Sequence, residues 1–311
     1  MRFPPATRLG EGIERVSQYR FIDTHRADAP LKMLLKVLQV PSSSYHRWDS
    51  VGRACQEQRD LRQGQLVGEI RRVWQELDCT YGAHKVRVQL GYERITATTR
   101  HVAELMADNG LAGISGREKT TTTTRRDRLT KPFPDLVNRL FQPAEPNVVW
   151  YGDITYLWVQ NKFWYLASVI DGATKEVLGW SFADHMRTEL VTNALRRAII
   201  RRGGNVKGVK FHSDRGAQYT STEFGLFCEN NNVTQSMGRT GVCWDNAAAE
   251  SFWSTLKREL TNRYTFTTAK QLRRGLFQWI ETWYNRRRLH ASLGYRTPAQ
   301  AYQQHLNQTA A

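Results

Sequence analysis

From about residue 146 the chain writes three strand-like segments in a row, then alternates helix with strand, and few layered folds accept that order. NVVWYGDITYLWV is β-branched and aromatic, KFWYLASVID follows it, and EVLGWSFAD comes third, with Asp171 and Gly172 turning between the last two. MRTELVTNALRRAII carries apolar residues at helical spacing. GVKFHSD then reads as a fourth strand, TSTEFGLFCENN as a helix and VTQSM as a short fifth strand. After a glycine-containing loop, GRTGVCWDN, a long helix begins near Asn246. Strands and helices in that sequence predict a mixed α/β layered domain.

The order is the one found in the ribonuclease-H-like fold, a mixed five-stranded sheet flanked by helices, whose first and fourth strands are neighbours. Three carboxylates then stand out. Asp153 lies in the middle of the first strand, where a buried acid costs several kcal/mol unless it is paired or metal-bound. Asp214 lies just past the fourth strand, and Glu250 sits in the first turns of the long helix. Two carboxylates on adjacent strands and one from a helix match a hard-cation site that leaves room for water and phosphate. Two ions about 3.5–4 Å apart would clamp both oxygens of an in-line phosphoryl transfer. Asp171, at the strand-ending turn, is expected to cap that turn, and Asp245 or Asn246 to cap the helix that carries Glu250.

Thirty-five residues separate Asp214 from Glu250. That is the D,D-35-E spacing of retroviral-type integrases and related transposases. DIT around Asp153, HSDRGAQYTS, GVCWDNAAAESFWSTLKREL and YNRRRLHASLGYRTPAQAY resemble the second-frame (OrfB) transposases of the insertion-sequence-3 family. The likeness extends upstream through YGAHKVRVQL and RHVAELMADNGLAG, which resemble that family's helix-turn-helix segment, and covers roughly residues 30–305. It implies that Asp153, Asp214 and Glu250 are the catalytic metal ligands, holding two ions of Mg²⁺ or Mn²⁺. Lys257, two helical turns beyond Glu250 and on its face, is expected to contact DNA near the cleaved phosphate. Trp253 shares that face, whereas Phe252, Leu256 and Leu260 suit the buried side. His212, Arg215, Gln218 and Tyr219 surround Asp214 and are expected to line the DNA path or brace the acid.

The charge balance agrees. Net charge is +16, and residues 251–290 supply +7 of it: Lys257, Arg258, Arg263, Lys270, Arg273, Arg274, Arg286, Arg287 and Arg288 against Glu259 and Glu281. Such a surplus points to a polyanionic partner, because Lys and Arg gain affinity by displacing counterions from phosphates. Arg215, Arg258 and Arg286 to Arg288 join Lys257 as expected DNA contacts. Leu272, Leu276, Trp279, Ile280 and Trp283 form an apolar stripe, and Thr297 with Pro298 opens a last short helix.

Upstream, residues 1–60 read as a small helical segment whose first 30 residues carry no motif. PLKMLLKVLQV ends at Pro41, and Ser42 or Ser43 is placed to cap YHRW. Residues 61–116 form a second, helix-turn-helix-like unit in which Thr96 or Thr98 starts a helix that stops at Gly110. Residues 117–145 are a basic, Thr-rich linker with five consecutive threonines. The catalytic core is expected over 146–265, and a basic helical extension over 266–311. Four scattered cysteines argue against a disulfide framework or a zinc site. With neither an apolar span nor a signal peptide, the location expected is cytoplasmic and nucleoid-associated, in a bacterium.

The expected activity is cutting and joining at the ends of a mobile element. An activated water hydrolyses one strand, and the freed 3′-hydroxyl attacks a second phosphodiester in line. The resemblance adds a homo-oligomer on paired double-stranded ends and an upstream-frame (OrfA) product, since no long heptad run is present here. A ribonuclease-H-like nuclease that cuts without joining and a catalytically silent repressor are the alternatives.

Overall fold

The computed structural model describes residues 11–114, 136, 143–238 and 247–310. Most of the expected linker and the loop from 239 to 246, with Asp245 and Asn246, lie outside the described residues. The chain divides into two units, Met1–Asp78 with Gln89–Leu111 and Cys79–Val88 with Ala112–Ala311.

The first unit is helical. Its elements are α1 (Glu11–Thr24), α2 (Leu31–Val37), α3 (Ser42–Arg47), α4 (Arg53–Glu76) and α6 (Thr99–Asp108), while α5 (Ala83–Tyr92) is divided between the units. Tyr19 and Ile22 of α1 form a small core with Leu35, Val40 and Tyr45. Arg53 binds Asp23 and Asp49, each at 2.5 Å, tying the start of α4 to α1 and to the π-helical turn Trp48–Gly52. Within the motif-poor N-terminal stretch, Glu11–Thr24 is therefore a packed helix. Pro41, not a serine, occupies the N-cap of α3, and no side chain caps it. Thr98 caps α6 by accepting from His101 N, and Gly110 follows with φ +65°.

Two expected boundaries move. The division at 60/61 falls inside α4, whose 24 residues run without interruption. Residues 79–88, assigned by sequence to the helical domain, belong to the sheet unit. The reason is Tyr81, which is buried and whose hydroxyl accepts the Leu289 N–H at 2.6 Å.

The second unit is built on β1 (Val149–Val159), β2 (Lys162–Asp171), β3 (Val177–Ala183), β4 (Lys210–Ser213) and β5 (Thr234–Met237), in the spatial order β3-β2-β1-β4-β5. β1–β2 and β2–β3 are antiparallel, and β1–β4 and β4–β5 are parallel. This is the ribonuclease-H-like arrangement. α7 (Thr188–Arg201) and α8 (Thr222–Asn230) cover one face, packing on Trp150, Ala167, Val169 and Phe211. α9 (Ala247–Leu256) and α10 (Ala269–Phe277) cover the other, over Leu157, Val159, Leu166 and Ile170. Side chains alternate across a strand, so the central strands must be apolar on both sides, as their composition is.

The extension from 266 onward is part of this core. Leu272, Leu276, Trp279, Ile280 and Tyr284 pack with Phe252 and Leu256, and π-helical turns continue both α9 and α10. Buried Asn285 accepts from Val177 N at 2.9 Å and donates to Val177 O at 3.0 Å, extending the hydrogen bonding of edge strand β3. α11 (Pro298–Thr309) opens with the expected Thr297 cap, completed into a capping box by Gln300. Among the described residues no helix is long and apolar enough to cross a membrane.

Candidate active site

Asp153 is the fifth residue of β1 and points to the α9 side, the face on which its neighbour Tyr151 packs against Ala248 and Leu157 joins the core with Phe252. Gly152 beside it is required by close packing. A Cβ there would come within 2.1 Å of the Phe211 ring on the opposite face. Oδ1 of Asp153 accepts from Ile154 N at 2.8 Å, and Oδ2 accepts from the indole Nε1 of Trp253 at 3.0 Å. Sequence reasoning placed Trp253 on the Glu250 face but missed this bond. Trp253 is 6% exposed and belongs to the α9-side core together with Phe252.

Asp214 follows β4, which runs parallel to β1 and pairs with its first three residues. Its Oδ1 accepts from Gly216 N at 3.0 Å, a tight Asx turn at the strand tip. The two aspartates are close enough to feel each other. Burial, then the charge of Asp214 and more weakly that of Glu250, push the Asp153 carboxyl up to about 7, against the two hydrogen bonds that lower it. Asp214 is also raised, by desolvation, with the Gly216 bond opposing. Glu250 stands exposed in the first turn of α9. Among the described residues no three His, Cys, Asp or Glu side chains converge into a complete metal-ligand group. The donor chemistry nevertheless fits a hard divalent cation. It consists of oxygen only and is anionic, with two carboxylates held near each other at an energetic cost that a cation offsets.

The residues around Asp214 have contacts of their own. His212 is buried with Nδ1 3.0 Å from Ser236 Oγ, and Tyr219 is buried against Phe211 and Phe224. Arg215 Nε donates to Gly238 O at 3.1 Å and Gln218 to Met186 O at 2.9 Å. Asp171 is the turn cap expected of it. Fully buried, it accepts from the N–H groups of Asn147, Ala173 and Thr174 and from the Thr174 hydroxyl.

The basic residues divide into two groups. Lys257 sits where α9 passes into the following π-helical turn, half-buried, with Nζ 5.4 Å from the Tyr156 ring centroid and in no ion pair among the described residues. Arg286 and Arg287 are exposed, and Arg258 is half-buried with Nε on Ser254 O. Arg288 departs from expectation. Only 12% exposed, it binds both oxygens of buried Glu259 at 2.9 and 3.1 Å, and Trp283 Nε1 donates to the same carboxylate. Engaged in this way, the guanidinium ties the segment after Tyr284 to the π-helical turn that carries Glu259.

The chain is similar to known proteins over this unit. A family model described as an integrase core domain matches residues 143–243, and a second of the same description matches residues 231–298. The chain is 34% identical over 233 residues to the transposase for insertion sequence element IS904 of Lactococcus lactis subsp. lactis (strain IL1403), covering 75% of this chain and 91% of that protein. It is 31% identical over 283 residues to transposase InsF for insertion sequence IS3A of Escherichia coli (strain K12), covering 91% and 97%. Among solved structures, the simian T-cell lymphotropic virus intasome in complex with PP2A regulatory subunit B56 gamma aligns over 70% of each chain, at 16% identity and a TM-score of 0.44.

Sheet order and matched core together define an integrase-type polynucleotidyl transferase. The chain belongs to the insertion-sequence-3 family of transposases, and its activity is that of a DDE transposase.

Proposed function

We propose that this transposase cuts and rejoins double-stranded DNA at the ends of an insertion element, with Asp153, Asp214 and Glu250 as ligands of divalent cations. The observation that carries the reading is the approach of Asp153, in mid-β1, to Asp214 at the tip of β4, with Glu250 on the helix packed against β1. An all-carboxylate set suits magnesium or manganese, and the arrangement of the chemistry suits two ions. When bound, they would polarise the scissile phosphodiester and steady its entering and leaving oxygens.

The chain's own residues supply position and charge. Ile154 N and Trp253 hold one donor each on the two Asp153 oxygens, fixing how that carboxylate presents itself. Lys257, Arg258, Arg215, Arg286 and Arg287 offer cations to the DNA backbone. In the first step water attacks at the element end, one P–O bond forms and one breaks, and a 3′-hydroxyl is released. In the second, that hydroxyl attacks a target phosphodiester in line, again exchanging one P–O bond for another. Neither step needs a covalent protein–DNA intermediate.

Joining two ends asks for at least two copies of the chain on paired ends. An upstream-frame product, as the family resemblance implies, would complete end recognition. The place of action would be the bacterial cytoplasm, at the nucleoid.

The test is a labelled duplex carrying the element's terminal repeat, incubated with magnesium and either wild type or Glu250→Gln. The substitution keeps shape and removes the charge that a cation needs. Nicked and joined products should vanish in the variant while DNA binding survives. Equal product from both proteins would remove Glu250 from the site.

A further inference from the structure

β1 and β2 run on past the rest of the sheet. β4 pairs only with Val149–Tyr151, whereas β1 pairs with β2 along its length to Val159. A two-residue turn, Gln160 and Asn161 at φ +55° and +56°, closes this hairpin tightly. On one face Leu157 and Val159 are buried in the core with α9 and α10, which anchors the hairpin. On the other face Tyr156, Trp158 and Phe163 are 54%, 61% and 47% exposed. They are contiguous. Trp158 and Phe163 are register partners with ring centroids 4.7 Å apart, and Tyr156 lies 5.2 Å from Phe163, both pairs edge to face.

Cross-strand aromatic pairing explains why neighbouring rings touch. It does not explain why three large rings are left together in water, an arrangement that marks a binding surface. Two further observations say what binds. Lys257 places its ammonium 5.4 Å from the Tyr156 ring, so the patch is cationic at its margin and carries no carboxylate paired to that lysine among the described residues. Tyr156 also follows Asp153 by three residues, about 10 Å along the strand and on the opposite face of the sheet, beside the β1 edge that β4 leaves unpaired beyond Tyr151. Aromatic faces beside a cation hold unstacked nucleic-acid bases, each base having a π-face and each phosphate a charge. A site for duplex backbone alone would need the cations and not the rings.

We propose that Tyr156, Trp158 and Phe163 form a stacking platform for unpaired bases of the DNA strand next to the phosphate being processed, with Lys257 serving the adjoining phosphate. The proposal rests on the DNA-processing reading above and adds to it that the strand near the site is held with its bases splayed.

The experiment uses the full chain and two fluorescent probes of equal length, a single-stranded oligothymidylate and a blunt duplex, read by anisotropy. Trp158→Ala and Phe163→Ala should each weaken single-strand binding about 5- to 150-fold and leave duplex binding within about twofold. Trp158→Phe should restore most of the loss. All three sites are exposed, and thermal melts check that each variant folds. Equal weakening on both probes, or on neither, overturns the platform. So does a Trp158→Ala variant that changes only from a larger to a smaller oligomer on gel filtration, which would make the patch an interface between copies. Wild type that binds neither probe removes the DNA reading itself, whereas binding without discrimination between variants removes the platform alone.

Discussion

Trp253 of α9 donates its indole N–H to Oδ2 of Asp153 on β1 across 3.0 Å. The residue one helical turn after Glu250 thus reaches the aspartate in mid-sheet. One side chain ties the helix that carries the third proposed carboxylate to the strand that carries the first. With Ile154 N on Oδ1 at 2.8 Å, each oxygen of Asp153 has one protein donor and keeps lone pairs for another partner. The Trp253 ring itself is packed in the α9-side core, 4.7 Å from the Phe252 ring centroid, so the donor does not wander.

Trp253→Phe separates packing from hydrogen bonding. The phenyl ring keeps most of the contact surface and removes the donor. We expect DNA cleavage to slow by about 10- to 100-fold, as when a residue orienting a metal ligand is lost. Stability should fall by only about 1 kcal/mol, the worth of one buried hydrogen bond. Affinity for the terminal-repeat duplex should not move. A variant with wild-type cleavage, or one whose defect lies wholly in DNA affinity, would show that the bond serves packing alone.

The Asp153 carboxyl, raised to about 7 by burial and by Asp214, gives a signed pH dependence. Between its unfolded value near 4 and its folded value the native state binds the proton more tightly. This group therefore favours folding at low pH, and that support is lost as pH rises to about 7. A divalent cation on the same oxygens competes with the proton and acts in the opposite sense. Magnesium should raise the thermal midpoint more at about pH 8 than at about pH 5.5, and Asp153→Asn should shrink the difference. A magnesium effect of equal size at both pH values would mean that the ion binds elsewhere.

What could be read without coordinates was whatever rests on local pattern. Asp153 is conspicuous because an acid interrupts a run of β-branched and aromatic residues, and strand order alone makes it a neighbour of Asp214. Thr98 and Thr297 announce the starts of α6 and α11 because caps act within one turn. What escaped depends on distant partners. α1 buries Tyr19 and Ile22, and only α2 and α3 reveal what they pack against. Tyr81 binds Leu289 and Asn285 binds Val177 across more than a hundred residues. The arginines at 286, 287 and 288 look alike in sequence. Glu259, far back in the chain, singles out the third.

Asp171 resembles a site residue by chemistry and behaves as a structural one by geometry. It is fully buried and its two oxygens accept four protein hydrogen bonds around the β2–β3 turn. Asp171→Ala strands those donors and should cost at least about 3 kcal/mol in urea unfolding. Asp171→Asn keeps the oxygen that serves Ala173 and Thr174 and should cost less, about 1–3 kcal/mol, through the Asn147 bond. A stable Asp171→Ala protein that has lost cleavage would place the residue in the chemistry.

The arginine run supplies the sharpest contrast. Arg286 and Arg287 are exposed, so removing either should lower the slope of log affinity against log salt by about 0.9 per lost phosphate contact, with stability unchanged. Arg288 is closed against Glu259, and Trp283 binds the same carboxylate. Arg288→Ala therefore leaves a buried anion without its partner, and unfolding should become easier by about 3–5 kcal/mol with little change in the salt slope. Arg288→Ala/Glu259→Gln should recover part of that loss, because the double variant buries no lone charge. Urea titration and binding against salt, applied to each of these variants, decide the matter. If Arg288→Ala flattened the salt slope at wild-type stability, the guanidinium would belong to DNA and the ion pair to Glu259 would have to open on binding.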